Sequence, residues 1–258
     1  MSPIRVAQEA SAEWEKFYPV SREQRQPIPT AGSETMDTKL LITGLTRFAA
    51  GVVLLGVLLF VPAGTLAWWR GWLLMGILFV PMLTAGFVMM AKVPDLLRKR
   101  LSVREEESEQ RTVIALSGLM FLVAFVLAGL DHRFGWPIFP AAVSWAGAVV
   151  FLIAYALYAE VLRENAYLSR TIEVQEGQHV VDTGLYGIVR HPMYAVTLLL
   201  FLSMPVVLGS PFALIVMLAY PAIIAKRIRN EEQVLSAGLD GYVDYMERVR
   251  WRLVPFIW

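Results

Sequence analysis

Two short stretches of this chain concentrate the side chains that could do chemistry. The first, GLYGIVRHPMY, sets Tyr186, Arg190, His191 and Tyr194 at the start of an apolar run. The second, KRIRNEE, sets Lys226, Arg227, Arg229, Glu231 and Glu232 where the chain returns from the next apolar run. Fixed charge at both feet of an apolar hairpin is costly unless a ligand or partner uses it, so an enzyme is the first reading. Arg227 and Glu231 are four residues apart and share one helix face. A guanidinium beside a carboxylate, opposite an imidazole and two phenols, suits a ligand carrying both charges. The carboxylate can hold an ammonium through a charge-assisted hydrogen bond, and phenol faces favour a nearby cation by ~0.5–2 kcal/mol.

The elements that must position these groups are membrane helices. Of 258 residues, 57% are hydrophobic and 17% charged, where a soluble domain has roughly 45–50% and 25%. Uncharged or nearly uncharged runs over 40–60, 72–91, 113–130, 138–159, 192–208 and 211–225 predict five or six membrane segments. The fold class is therefore all-α, a polytopic transmembrane helical bundle with a cytoplasmic C-terminal helix. The chain divides into a polar extension over 1–38, transmembrane helices over 39–160, and a cofactor-binding and catalytic region over 161–258. Pro192 suits the first turn of a helix, which places His191 just before a helix N-terminus. Beyond the last run, 226–235 continues as a polar helix.

Basic residues cluster in 92–111, 163–190 and 226–229, whereas the opposite loops offer Arg70 and Arg133. Positive-inside counting puts both termini and the motif-bearing segments in the cytoplasm. A net charge of +1 gives no nucleic-acid surface, and the absence of cysteine excludes disulfides, thiolate nucleophiles and Cys-ligated metals. No metal site is expected. In the extension, Val6, Ala10, Trp14, Phe17 and Tyr18 fall near helical spacing, which fits a surface amphipathic helix as well as a partly disordered tail.

The motif pair, with Tyr242, Tyr245 and a closing basic-Pro end, resembles the isoprenylcysteine carboxyl methyltransferase family over 178–255. Phospholipid N-methyltransferases carry a similar pair, and membrane sterol reductases also carry an RHPxY segment. The resemblance implies an integral membrane methyltransferase that uses S-adenosylmethionine and acts on a lipophilic or lipidated acceptor, with membrane lipids around it. By position it makes His191, Pro192, Met193 and Tyr194 cofactor-lining, with Tyr186 and the strand-like His179, Val180 and Val181 beside them. Glu231 would bind the cofactor and Arg227 the substrate carboxylate. Ala195 stands where the family usually has glycine. The alternatives are an NADPH-dependent sterol-type reductase, with Lys226, Arg227 and Arg229 on phosphate, a phospholipid N-methyltransferase, or a non-catalytic scaffold. The acceptor and the oligomeric state are not legible.

Several neighbours have plainer expected roles. Glu232 reads as the partner of a cytoplasmic arginine, and Arg229 as a membrane anchor. Tyr242 and Tyr245 read as interfacial belt residues, Trp68 and Trp69 as anchors, and His179 and His132 as loop histidines.

Overall fold

Apolar runs too long for anything but a helix, punctuated by glycine and proline, define the elements. The computed structural model describes residues 38–92, 108–165, 167, 174–175 and 177–258. The reading of 1–37 as a surface helix or tail lies outside them. Residues 1–41 form a separate unit, of which only the first turn of α1 is described.

Among the described residues there are eight α-helices and no strand. They are α1 Thr38–Ala63, α2 Trp69–Lys92, α3 Ser108–Phe134, α4 Ala141–Glu164, α5 Pro192–Leu208, α6 Pro211–Met217, α7 Tyr220–Gly238 and α8 Tyr242–Arg248. Five stretches are long and apolar enough to cross a bilayer: Leu40–Ala63, Trp69–Met90, Ala115–Phe134, Ala141–Glu164 and Pro211–Gly238. The chain is an integral, multi-pass membrane protein. Its outer apolar side chains, such as Val53, Leu54, Leu119, Val149 and Ile215, are exposed, as lipid-facing residues must be.

The final hairpin differs from expectation in which arm is short. The α5 arm has 17 residues, while α6 and α7 together form the long one. A turn at Leu218–Ala219 separates α6 from α7, because Pro221 in the first turn of α7 has no N–H to continue the ladder. Ser210 caps α6 by accepting from the Ala213 amide at 2.9 Å. Between the arms Gly209 takes φ 76°, a conformation that strains other residues.

The α4–α5 contact is the most extensive, and Gly147 lets the two helices touch. A Cβ there would sit 2.8 Å from a Val206 methyl. Phe151, Val207, Met217 and Ile228 fill the core that results. This packing fixes the N-terminus of α5, and with it the RHPMY turn.

At the bundle end remote from that turn, two expectations are corrected. Trp68 is buried and stacks on His132 at 5.1 Å, so it is a core residue; Trp69 alone is exposed. His132 belongs to the last turn of α3 and not to a loop, since α3 runs on to Phe134. Arg70 is buried too, donating to the Phe139 carbonyl at 2.6 Å, while Asp131 accepts from the Ser210 hydroxyl.

Candidate active site

The α5 start, the α7 face, the irregular 178–181 segment and α8 line one cavity. Its empty volume is about 830 Å³, counting the part open to solvent. His179, Val180, Val181, Tyr186, His191, Met193, Tyr194, Arg227 and Glu231 all line it. Pro192 does not line it; it is buried as the first residue of α5. His179, Val180 and Val181 lie in irregular backbone and not in a strand, so the strand-like expectation is corrected.

Periodicity explains how α7 serves both core and cavity. Tyr220, Ile224, Ile228 and Glu232 repeat every four residues on its buried stripe. Arg227 and Glu231, one position behind that stripe, border the cavity. They meet there through Tyr194, whose hydroxyl donates to Glu231 Oε2 at 2.6 Å and accepts from Arg227 Nε at 2.8 Å. The arginine also lies 5.9 Å from the Tyr194 ring centre. Arg227, Tyr194 and Glu231 therefore form a single charge-assisted chain at the cavity wall.

Glu232, one residue further, does different work. Its Oε1 accepts from Arg190 Nε at 2.8 Å and stands 3.3 Å from His191 Nε2; its Oε2 accepts from Arg252 Nε at 2.8 Å. Arg190 also donates to the Val249 and Arg250 carbonyls at 2.8 and 2.9 Å. The backbone follows suit, with the Arg190 and His191 amides donating to the Trp251 and Arg252 carbonyls at 2.8 and 2.9 Å. Glu232 thus ties α7, the RHPMY turn and the C-terminal segment together, the partner role expected for it. Arg229 is exposed, in keeping with an anchor.

Tyr242 and Tyr245 are not belt residues. They are 4% and 2% exposed, line the cavity, and hold its floor: the Tyr245 hydroxyl donates to the Tyr186 carbonyl at 2.7 Å. The Tyr242 hydroxyl is buried with no partner among the described residues, and the Tyr186 hydroxyl makes no full hydrogen bond, the Asn165 side chain being the polar group that acts on it. Burial pushes all three phenols above their ordinary range, helped at Tyr242 by Glu232 and Glu231. They are neutral donors. Asn165, Tyr167 and Gln178 also line the cavity and were not anticipated as site residues; Arg190, of the first motif, lines it too. The Tyr167 hydroxyl bonds His179 Nδ1 at 2.9 Å, so that histidine is fastened as well as exposed to the cavity.

Residues 143–237 match the model of the isoprenylcysteine carboxyl methyltransferase family, a stretch that contains α5, most of α7 and the Arg227–Tyr194–Glu231 chain. The matched stretch is set among five helices long and apolar enough to cross a membrane. Tyr242 and Tyr245 lie outside the matched stretch, so α8 completes the cavity from beyond it. A curated relative, the Delta(14)-sterol reductase of Mus musculus, is 30% identical over 91 residues, which are 34% of this chain and 22% of that protein. The chain thus spans under a quarter of that relative's length. A solved structure of a eukaryotic intramembrane Ras methyltransferase, isoprenylcysteine carboxyl methyltransferase, aligns over 98% of this chain and 93% of its own, at 15% identity and TM-score 0.46.

Proposed function

We propose that the chain binds S-adenosylmethionine in this cavity and transfers its methyl group to a lipophilic acceptor, foremost the carboxylate of an isoprenylcysteine-like molecule. The observation that carries the reading is the Arg227–Tyr194–Glu231 chain, inside the family segment and at the membrane end of the α5–α7 hairpin. The cofactor supplies an activated methyl on a sulfonium, so the residues need only bind, orient and exclude water.

The residues fit that group. Glu231 pairs with an amino-acid ammonium; a carboxylate has about four acceptor positions and Tyr194 takes one of Glu231's. The Tyr186 and Tyr194 rings favour the cationic end of such a molecule. The buried Tyr242 hydroxyl is a donor still lacking a partner among the described residues, a cost of ~1–3 kcal/mol that a polar ligand relieves. Val180, Val181, Met193 and Leu235 supply apolar walls. Arg227 holds the acceptor's acid, which is ionised at neutral pH and needs no general base. Catalysis is then positioning in a site of low water content. We place this site, and both termini, on the cytoplasmic side, following the basic residues of 163–190 and 226–229.

Two further readings have something behind them. A phospholipid amine as acceptor would share the cofactor site but bring no acid to Arg227. A nicotinamide-dependent sterol-type reductase draws on the stretch shared with the mouse reductase. It would need a cationic bed for phosphates. Of Lys226, Arg227 and Arg229, only Arg227 lines the cavity; Arg190 lines it too but is paired with Glu232. The cavity favours an ammonium-bearing cofactor. Methyl transfer from labelled S-adenosylmethionine, run on prenylated cysteine analogues beside phosphatidylethanolamine, separates the acceptors. Labelling of the acids and not the amines is the expected result, and labelling of amines alone would overturn the carboxyl assignment.

A further inference from the structure

We propose that Tyr194 couples the two halves of this site, so that a cation on Glu231 and an acid on Arg227 each tighten the binding of the other. This rests on the reading just given and adds to it a residue whose role is the communication between two ligands.

The hydroxyl of a tyrosine has one proton to give and lone pairs to receive. Tyr194 gives its proton to Glu231 Oε2 at 2.6 Å and receives one from Arg227 Nε at 2.8 Å. Donation by the guanidinium makes the phenol a stronger donor to the carboxylate, and the carboxylate makes the oxygen a stronger acceptor. Each end of the chain therefore tightens the other while the cavity holds no charged ligand. An ammonium arriving at Glu231 neutralises that carboxylate and weakens the bond from Tyr194. The Tyr194 oxygen then holds Arg227 less firmly, and the guanidinium turns its fork to an incoming acid. By linkage the acid must help the ammonium by the same factor. The tyrosine's own position is well determined, since its amide donates to the His191 carbonyl at 3.1 Å and its ring lies 5.8 Å from the imidazole.

The test uses the full chain in lipid nanodiscs with S-adenosylhomocysteine and N-acetyl-S-farnesylcysteine, a pair that cannot turn over. Calorimetry gives the affinity of each ligand alone and with the other saturating. In the wild type each should tighten the other about fivefold or more, the low end of usual coupling. Tyr194→Phe keeps the ring and removes the link; both ligands should still bind, with the coupling reduced to below about twofold. Met193→Ala, which alters the same wall without touching the chain, should keep the wild-type factor. Wild-type coupling in Tyr194→Phe, equal loss in Met193→Ala, or independent binding of both ligands to the wild type would each overturn the proposal. Failure of the wild type to bind S-adenosylhomocysteine at all would instead remove the reading on which it stands.

Discussion

The Glu232 knot offers a sharp test of how the cavity is built. Arg190 and Glu232 have side chains only 7% and 8% exposed, and one carboxylate oxygen serves Arg190 and faces His191. Breaking a buried pair from one side costs ~3–5 kcal/mol, because the remaining charge stays buried. Glu232→Gln should fall below that range. Its carbonyl can still face Arg190, and Arg190 keeps its bonds to Val249 and Arg250. The amide nitrogen then meets Arg252, whose side chain is 33% exposed and has water to turn to. We expect a loss of ~2–3 kcal/mol for Glu232→Gln and ~3–5 for Glu232→Leu. For Arg252→Gln we expect ~1 or less. At roughly 2–4 °C per kcal/mol for a chain near this size, Glu232→Gln should lower the melting temperature by ~5–10 °C. Tryptophan fluorescence during heating in detergent reads it directly. A shift under about 2 °C for Glu232→Gln, or an equal shift for Arg252→Gln, would refute the argument that this carboxylate is the buried centre of the knot.

Glu231→Gln should separate ligand binding from stability, weakening S-adenosylhomocysteine by ~1–3 kcal/mol while leaving the melting temperature within about 2 °C of wild type; the opposite pattern would mean the register of α7 has been misassigned. Arg227→Ala should keep cofactor affinity near wild type and lose most turnover, with Arg227→Lys restoring only part because a two-pronged fork becomes a point charge; parallel calorimetry and methyl-transfer assays check this. The raised phenol pKa values of Tyr186, Tyr242 and Tyr245 mean the native state holds those protons more tightly than the unfolded chain, whose tyrosines titrate near 10.0. Their stabilising effect is complete below pH 10 and lost as the pH rises beyond it, so melting temperature should fall steeply there, and less steeply in Tyr242→Phe.

Local chemistry made much of this legible. Arg227 and Glu231 share a face because the helix period says so, and Pro192 opens α5 because it has no N–H to lose. Glu232 was readable as an arginine's partner because a second carboxylate beside a ligand carboxylate needs its own cation. What escaped reading depends on contacts between distant segments. Tyr242 and Tyr245 suit a membrane interface as well as a cavity, and only the packing of α8 against the Tyr186 turn decides between them. Trp68 and Arg70 looked interfacial for the same reason, yet both are buried. Arg190 looked like one more positive-inside anchor until the C-terminal carbonyls came to meet it. The turn between α6 and α7 is local, but which arm of the hairpin is long depends on whether the helix resumes after Pro221, and it does.

The central claim is that the cavity takes S-adenosylmethionine, and the most direct test is ligand binding by the wild-type chain. S-adenosylhomocysteine should raise the melting temperature of the purified protein in proportion to the logarithm of its concentration above Kd, with saturable heat in calorimetry and no response to NADPH. Stabilisation by NADPH with none from S-adenosylhomocysteine or S-adenosylmethionine would contradict the account and turn the reading to a reductase.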